Sequence, residues 1–549
     1  MSAEPRTTPQ PSTPQPSTAE TGALAPLRRP LFALLWAGVL ISGFGSWMQN
    51  VGAQWTFVNA PNAAVIVSIV QAATPLPMLL LALPGGVLAD SFDRRHILIV
   101  TQIYFALVST TIAVLSFGNQ LTAVTLIALT LAVGAGMALQ LPTWSALIPE
   151  VLPREELRAA ARLDMVSVNL SRAAGPAVAG LVIAGLGVSW TFLLNAFSVI
   201  PMLLVVALWR RSRAQRSGQR ERFLPALLTG SRYVRHDPVV RRILVRLGLF
   251  VVPATSIWAL LAIIATRRLG LGAGGYGLLY TAFGLGPVAG ALVIPRVRRL
   301  VSTNALLVIT GLLYAVCLAG VVWVPGIVAA APLLMVVGAG WMAATSTFIA
   351  ELQLVLPAWV RACAIGIYMM TFTGSQAVAA PVWGLVAQRF EVQWAIVAAA
   401  ATVALTTLIG MIWLPLPDTS HRDPSPVKYW GDARLVLADD PGQGAVMVVC
   451  EYTIAAENET AWLEAMEPMR RSRLRSGAFR WDLFRVAEHP GVFHEVFEVS
   501  SWAEHVLQHE GGRLTRDDQR IEERALGFSH PPVVTRHLVP PSPASPVES

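Results

Sequence analysis

Long apolar runs separated by short connections constrain this 549-residue chain more than any other feature. From Leu31 to Pro417 the sequence is a series of apolar runs, each about 20 residues long, the length a helix needs to cross a bilayer. Because backbone polar groups cannot stay unpaired in lipid, each run is predicted to be helical. Charged residues make up only 13% of the chain, whereas about a quarter is usual in soluble proteins. The sequence therefore predicts an all-α membrane protein with 12 transmembrane helices in two six-helix halves, plus a small α+β domain.

The changes in composition along the chain predict its domain organisation. The predicted parts are a disordered tail over residues 1–27, an N-terminal half over 28–209, a basic cytoplasmic linker over 210–242, a C-terminal half over 243–417, an α+β ferredoxin-like domain over 427–530 and a second disordered tail over 531–549. The first tail is rich in Pro, Thr, Ser and Gln and has no apolar core, so it does not read as a signal peptide.

The two halves resemble each other at one place. Aligning Leu152-Pro153 with Leu356-Pro357 also superposes the Gly-Leu pairs at 180–181 and 384–385 without a gap. A match at the same place in two sets of six runs favours a duplicated unit. Parallel six-helix repeats with a midplane site between them are the architecture of major facilitator transporters.

The charged residues predict the orientation. The chain has a formal net charge of +8 at pH 7, and its arginines concentrate in alternate connections. The connections after the even-numbered runs are basic, whereas "NAPNAA", "FGNQL", "GLGVSW" and "WVPGI" on the other side are uncharged; the exceptions are Arg267, Arg268 and Arg389. By the positive-inside rule both termini face the cytoplasm of a multi-pass cell-membrane protein. The basic balance is thus explained by topology, and nucleic acid is not predicted as a partner.

A charged turn follows the second apolar run. The stretch "GGVLADSFDRR" resembles a signature of the major facilitator superfamily, which implies a gating motif of Gly86, Asp90, Asp93, Arg94 and Arg95. Gly86 is expected to let helices pack closely. Asp90 is expected to pair with one of the two arginines or to cap a neighbouring helix, and such pairs hold a cytoplasmic gate. The alternative is a solvated turn that carries only positive-inside arginines.

The fifth run contains "GPAVAG". Gly175, Pro176 and Gly180 resemble a helix-kink motif of proton-driven exporters in the same superfamily, with an alanine in place of one glycine. The proline removes a helix hydrogen bond and the small residues allow close packing. An ordinary transmembrane kink explains the same residues.

Ionisable residues within the runs are candidates for cargo binding or proton coupling. Arg172 lies one turn before the proline, and an arginine inside a span usually faces a partner or an aqueous cavity. Asp164 lies two turns earlier. Glu150 and Glu351 end the fourth and tenth runs beside basic connections, so a structural, interfacial role is expected for both.

Neutral polar residues at helical spacing predict a polar face in the first two runs. They are Gln49, Asn50, Gln54 and Gln71. Such residues line a cavity or bind helices to one another, and the sequence leaves both interpretations open. A neutral interior rich in Trp and Phe suits a bulky amphiphilic or aromatic cargo. No cofactor is predicted; the predicted partners are a small-molecule cargo, protons and the lipid bilayer.

The stretch "SALIPEVLPREELRAAARLDMVSVNLSRAAGPAVAGLVIAG", followed by "LLNAFSVIP", resembles the enterobactin-exporter-like branch of the superfamily. This resemblance covers residues 28–417. It implies a proton-driven exporter of a siderophore or drug-like compound that works by alternating access. An importer or facilitator, and an enzyme–transporter fusion whose tail modifies the cargo, remain as alternatives.

The C-terminal domain reads as strand, helix, two strands and helix between Ala445 and Phe528. It is similar to dimeric α+β barrel domains such as the antibiotic-biosynthesis monooxygenases, which makes it a candidate for dimerisation. His505 and His509 are four residues apart, near Trp502, and are the candidates for a pocket in this domain. Two histidines at this spacing suit a metal, but no third ligand is evident and no metal is predicted. A noncatalytic dimerising or ligand-sensing module is favoured over an enzyme.

Overall fold

The computed structural model describes residues 22–209, 223–418, 423–425, 427, 444–509 and 513–539. Within these ranges a few side chains lie outside the description, among them those of Asp90 and His509. Most of the predicted tail 1–27 also lies outside it. The last residues of that tail form a 3-10 turn, Ala25–Arg28, directly before the first long helix, which corrects the predicted disorder there.

The described residues contain twelve helical spans long and apolar enough to cross a membrane. We number them in chain order as spans 1 to 12: Pro30–Thr56, Ala63–Leu81, Arg94–Phe117, Ala123–Val151, Arg154–Leu186, Ser189–Leu208, Pro238–Arg268, Ala273–Val297, Thr303–Val321, Gly326–Val355, Arg361–Phe390 and Val392–Trp413. Spans 1–6 form the N half and spans 7–12 the C half. The predicted twelve-helix membrane fold is confirmed.

Three spans are interrupted helices. Span 2 consists of the helices Ala63–Ala73 and Pro75–Ser91, the second of which runs past the apolar segment, and span 6 of Ser189–Ser198 and Ile200–Leu208. Span 7 consists of Pro238–Ala254, Ser256–Ile263 and a π-helical turn, Ile264–Arg268. The first two interruptions lie close to prolines, since Thr74 directly precedes Pro75 and Val199 stands two residues before Pro201. Proline lacks the N–H that a continuous helix needs and restricts the residue before it.

The duplicated unit is visible in the helix lengths. The main helices of spans 5 and 11, Leu157–Leu186 and Arg361–Phe390, both contain 30 residues. Both follow an extended residue that ends the preceding span, Leu152 in one half and Leu356 in the other. The Leu-Pro alignment made on the sequence therefore pairs equivalent helix boundaries.

Spans 5 and 8, and spans 2 and 11, bring the two halves together. We call the end of the bundle with the arginine-rich connections the basic end and the other the neutral end. A Cβ atom built on Gly277 of span 8 would lie 2.4 Å from the carbonyl oxygen of Pro176 in span 5. One built on Gly384 of span 11 would lie 1.8 Å from Oγ of Ser68 in span 2. The halves thus approach closely where only glycine fits.

The predicted linker 210–242 is partly helical. Residues 210–222 lie outside the description, but Phe223–His236 form a helix, which we call the linker helix, and span 7 already begins at Pro238. Asp237 caps span 7, because its Oδ1 accepts hydrogen bonds from the backbone N–H groups of Val239 and Val240 at 2.9 and 3.0 Å. Span 7 therefore begins with a cap and a proline in a polar first turn. A prediction based on apolar runs misses this turn and places the start of the span too late.

The tail domain is the predicted small α+β unit with one more strand than expected. Four strands, β1 (Val446–Thr453), β2 (Arg480–Arg485), β3 (Val492–Val499) and β4 (Val534–Leu538), form an antiparallel sheet in the order β2-β3-β1-β4 within the described residues. Helices Glu459–Ser476, Trp502–His509 and Arg516–Leu526 complete a ferredoxin-like βαββαβ arrangement. The prediction of a disordered tail from 531 is wrong for β4, which pairs with β1 along the edge of the sheet.

Candidate functional site

A cavity of about 260 Å³ lies inside the N half, between spans 1, 2, 3, 4 and 6. Its polar lining consists of Ser42, Ser46, Gln49, Asn50, Thr74, Ser109, Thr130, Gln140 and Asn195. Its apolar lining consists of Trp47, Ala53, Val70, Phe105, Val133, Met137 and Val199. None of the described residues that line it is charged. A concave, mostly apolar surface with a few converging polar groups is the usual form of a small-molecule site.

The amide of Gln49 accepts two hydrogen bonds inside this cavity. Its Oε1 accepts hydrogen bonds from Ser109 Oγ at 2.8 Å and from Asn195 Nδ2 at 2.5 Å, and Asn195 also donates to Ser109 at 3.0 Å. The three side chains come from spans 1, 3 and 6. The sequence identified Gln49 but not its partners. Asn195 stands as a single polar residue in an apolar stretch, and that isolation is the signal that could have found it.

Gln54 joins the two halves near the neutral end. Its Nε2 donates to Asn50 Oδ1 and to Gln71 Oε1, both at 2.9 Å, and its Oε1 accepts from the hydroxyl of Tyr276 in span 8 at 3.0 Å. Gln54 and Tyr276 are completely buried. Three of the four polar candidates from the first two spans therefore form one network, and Tyr276 is the member that the sequence did not reveal.

Two further hydrogen bonds join the halves at the neutral end. Arg267 Nη2 donates to the carbonyl of Ala60 and Gln388 Nε2 to that of Pro61, both at 3.3 Å. The two carbonyls belong to the connection between spans 1 and 2. Together with the Gln54–Tyr276 bond, they make three hydrogen bonds between the halves, all toward the neutral end.

The charged turn after span 2 ties the N half together at the basic end. Arg94 Nη1 donates to Glu150 Oε1 at 2.5 Å and to the carbonyl of Ala146 at 3.0 Å. Arg95 donates to the carbonyls of Val206 and Ala207 at the end of span 6, at 3.1 and 2.6 Å.

Two members of the turn, Asp93 and Gly86, differ from the expectation. Asp93 caps span 3 by accepting from the backbone N–H of Arg95 at 2.9 Å. The prediction that helices pack closely at Gly86 is wrong, because a Cβ built there would meet no atom within 4 Å. The close contact is at Gly85, where a Cβ would lie 2.5 Å from the carbonyl oxygen of Ala138. The side chain of Asp90 lies outside the described residues, so its predicted pairing stays a prediction.

The C half has its own polar contacts at the basic end. Thr303 Oγ1 donates to Glu351 Oε1 at 2.9 Å, and Arg298 Nη2 donates to Thr347 Oγ1 at 3.0 Å. Both contacts join spans of the same half, as the Arg94–Glu150 pair does. Among the described residues, the polar side-chain contacts of the two halves at this end are therefore internal to each half.

Arg172 lies at the middle of the long helix of span 5. The guanidinium carbon is 5.9 Å from the centre of the Trp47 ring, and Trp47 lines the cavity. A Cβ built on Gly175 would lie 2.7 Å from Cβ of Trp47, so this glycine admits the indole beside span 5. A Cβ built on Gly180 would likewise lie 2.7 Å from the carbonyl oxygen of Ala273 in span 8. The helix continues through Pro176.

Asp164 lies nearer the basic end of span 5. Its Oδ1 accepts a hydrogen bond from the indole N–H of Trp144 in span 4 at 3.2 Å. The structure thus separates the two ionisable candidates of this span, since Arg172 lies at mid-helix and Asp164 two turns away beside a neutral partner.

In the tail domain His505 pairs with a histidine that the sequence did not indicate. One of the Nε2 atoms of His505 and His537 donates to the other across 3.1 Å, and Trp502 packs on both rings, with centroids 5.5 and 5.4 Å away. Burial lowers the pKa of His505 to about 4 and also lowers that of His537. The side chain of His509 lies outside the described residues.

The tail domain docks on the basic end of the C half. Arg475 donates to Asp518 of the same domain at 2.5 Å and to Asp237, the cap of span 7, at 3.3 Å. The indole N–H of Trp359, between spans 10 and 11, donates to the carbonyl of Arg513 at 3.2 Å, and the Arg513 guanidinium lies over the same ring. The linker helix packs between span 11 and the tail domain.

Comparison with known proteins identifies a family and several relatives of this chain. A family model described as transmembrane secretion effector matches residues 21–543, which include both the spans and the tail domain. The chain is 23% identical to the staphyloferrin A transporter of Staphylococcus aureus, over 51% of this chain and 70% of that protein. It is 29% identical to the multidrug efflux pump Tap of Mycolicibacterium fortuitum, over 41% and 57% respectively. It is 26% identical to the enterobactin exporter EntS of Escherichia coli, over 48% and 62%. The aligned segments thus span less than two thirds of the last two relatives.

Solved structures match about 70% of the chain. A bacterial homologue of the iron transporter ferroportin has a TM-score of 0.57 at 14% identity, with 70% of this chain and 98% of that chain covered. A bacterial homologue of the human lysosomal transporter Spinster has a TM-score of 0.56 at 12% identity, with 71% and 96% covered. At these identities the likeness establishes the fold.

Proposed function

Since this chain belongs to the transmembrane secretion effector family of the major facilitator superfamily, we propose that it is a proton-coupled exporter that works by alternating access. Its cargo is a small amphiphilic compound of the siderophore or drug-like class. Proteins similar to the chain are named as a siderophore transporter, a siderophore exporter and a multidrug efflux pump, which supports this class.

The distribution of contacts between the halves is the observation that carries the proposal. All three described hydrogen bonds between the halves, and the glycine contacts at Gly277 and Gly384, lie in the neutral half of the bundle. At the basic end the described ion pairs and hydrogen bonds lie within each half. With the basic end in the cytoplasm, as the positive-inside rule requires, this is a state closed to the outside. Rocking of the halves against each other then gives access to the other side.

The cavity supports the cargo class. Its described lining has amide and hydroxyl groups, one tryptophan and one phenylalanine, and no charge. Such a surface offers hydrogen bonds and ring contacts to a compound that is partly apolar.

Asp164 is the carboxylate we propose for proton coupling. Its described hydrogen bond comes from the neutral indole of Trp144, so protonation breaks no ion pair there. Glu150, by contrast, is held by Arg94. The role of Asp164 rests on its position in span 5, the helix that packs against span 8 of the other half.

The proposal is tested in everted membrane vesicles with radiolabelled chloramphenicol, a neutral amphiphilic compound. An acid-inside pH gradient should drive its accumulation in vesicles with the wild-type chain. Asp164→Asn should lose the gradient-driven accumulation and keep exchange of labelled for unlabelled compound, because exchange needs no net proton movement. Glu150→Gln serves as the control carboxylate. Gradient-driven accumulation by Asp164→Asn at the wild-type rate would remove Asp164 from the coupling role.

We further propose that the tail domain is a noncatalytic, dimerising accessory module. Burial raises the pKa of Cys450 to about 12 and lowers that of His505 to about 4, so at neutral pH the thiol keeps its proton and the imidazole is uncharged. The outer face of the sheet exposes the apolar side chains of Phe484, Val534 and Leu538 by about half. A second copy of the chain would cover them. A chain that ends before residue 427 should have fewer subunits per nanodisc than the wild type, and an unchanged number of subunits would contradict the dimerising role. Turnover of a quinone or polyketide-like compound by the tail would favour the enzyme–transporter fusion.

A further inference from the structure

Arg172 is a charged group inside the membrane part for which the described residues supply no counter-ion. It makes no ion pair or hydrogen bond with any described residue, and its Nε is enclosed without an acceptor. A charge at the centre of a transmembrane helix is costly and is normally paired or faces water. The contact with the Trp47 ring offsets only part of that cost.

Arg172 is held at the contact between the halves. A Cβ built on Gly284 of span 8 would lie 2.8 Å from the backbone carbonyl of Arg172, so spans 5 and 8 cross at this residue. The guanidinium therefore lies where the halves meet and beside a tryptophan that also lines the cavity.

A second donor without a partner borders the same indole from the other half. The Nε1–H of Trp258 in span 7 is buried and donates to no described residue. The ring centres of Trp258 and Trp47 are 6.4 Å apart, in a stacked arrangement. Tyr280 and Phe283 of span 8 pack on Trp258 at 5.7 and 4.6 Å. Two donors, one of them cationic, thus belong to an aromatic cluster built from both halves.

We propose that Arg172 and Trp258 form an anion-recognition subsite of the cargo site, which selects aromatic amphiphiles that carry a carboxylate, phenolate or sulfonate group. The inference rests on the proposed transport function. The cargo anion replaces the missing counter-ion of Arg172, and its acceptor atoms satisfy the indole N–H of Trp258. Because the two donors belong to different halves, a bound anion also links the halves during the transport cycle.

Two fluorescent probes with the same ring system test the subsite. 8-Anilino-1-naphthalenesulfonate carries a sulfonate that N-phenyl-1-naphthylamine lacks. Binding to the full-length chain is measured in phosphatidylcholine nanodiscs by quenching of tryptophan fluorescence, with empty nanodiscs subtracted. The wild-type chain should bind the sulfonate probe at least about tenfold more tightly, as expected for a charge-assisted hydrogen bond.

The variants separate charge recognition from structure. Arg172→Gln should abolish the preference and leave the affinity for the uncharged probe unchanged, whereas Arg172→Lys should keep most of it because the charge remains. Trp258→Phe, which keeps a ring and removes the N–H, should reduce it severalfold. Arg246→Gln is the matched control, since Arg246 is also buried but donates to Asn304 Oδ1 at 2.7 Å; its preference should equal that of the wild type.

Equal affinity of the wild-type chain for both probes would overturn the proposal, as would equal weakening of both by Arg172→Gln. The probes report binding alone. A chain that shows the preference but does not transport chloramphenicol would refute the proposed transport and leave the subsite standing. A chain that transports chloramphenicol without the preference would do the reverse.

Discussion

The hydrogen bond between Tyr276 and Gln54 predicts how strongly the neutral end is held closed. Tyr276→Phe removes the hydroxyl that donates to Gln54 Oε1 at 3.0 Å and leaves the ring in place. Both residues are completely buried, so the acceptor loses its partner without gaining water. A hydrogen bond lost in this way costs roughly 1–3 kcal/mol.

That cost applies only to the closed state, because separation of the halves hydrates Gln54. The ratio of closed to open molecules should therefore fall by a factor of roughly 5 to 150. Spin labels on cysteines at Val124 and Val328, two exposed residues near the neutral ends of spans 4 and 10, report the distance between the halves. In a background without the three native cysteines, Tyr276→Phe should add a longer-distance population.

Tyr314→Phe is the matched control. Tyr314 is equally buried, but its hydroxyl donates at 2.8 Å to the carbonyl of Ala254 within the C half. Its loss should lower the stability of the half and leave the distance distribution unchanged. An unchanged distribution in Tyr276→Phe, or an equal shift in Tyr314→Phe, would refute the reasoning.

Three further predictions concern other parts of the chain. Gly85→Ala should lower the thermal unfolding temperature in detergent because its Cβ would lie 2.5 Å from a carbonyl oxygen, whereas Gly86→Ala should maintain or raise it; the opposite order would contradict the assigned helix contact. Arg475→Gln removes a cation that pairs with two buried carboxylates, at a cost of about 3–5 kcal/mol, and should release the tail domain from the C half, seen as faster hydrogen exchange in the linker helix. Arg480→Gln, at an exposed pair, should leave exchange unchanged, and protection of the linker helix in both variants would exclude the docking role. The folded domain holds the pKa of His505 at about 4, whereas the unfolded chain takes up this proton near the ordinary value of about 6.5, so the domain should lose up to about 3 kcal/mol of stability as pH falls from 6.5 to 4. His505→Gln should flatten that dependence, measured by hydrogen exchange of β1, and an unchanged slope would contradict it.

The membrane fold was predictable from the sequence because lipid leaves a spanning chain few alternatives. Each apolar run has to form a helix, and the arginines alternate between connections. The repeat was visible for the same reason, since Leu152 and Leu356 end equivalent spans. The tail domain was recognised as α+β from its alternating strands. Strand β4 was missed because it is only five residues long and lies between prolines.

The site was predictable only in part because its contacts join residues far apart in the chain. Gln49 and Gln54 were found from helical spacing, but Asn195 and Tyr276 reach them from 146 and 222 residues away. The error between Gly85 and Gly86 has the same cause. Which of two adjacent glycines meets a neighbouring helix depends on the rotation of span 2 against span 4, which no local pattern records.

The direction of transport tests the central claim most directly. Everted vesicles that carry the wild-type chain are given either an acid-inside or an acid-outside pH gradient, and accumulation of radiolabelled chloramphenicol is compared with vesicles lacking the chain. A proton-coupled exporter exchanges the compound for protons, so it should accumulate the compound under the acid-inside gradient only, and collapse of the gradient should stop it. Accumulation under the acid-outside gradient, or a rate that does not respond to the gradient, would contradict the account.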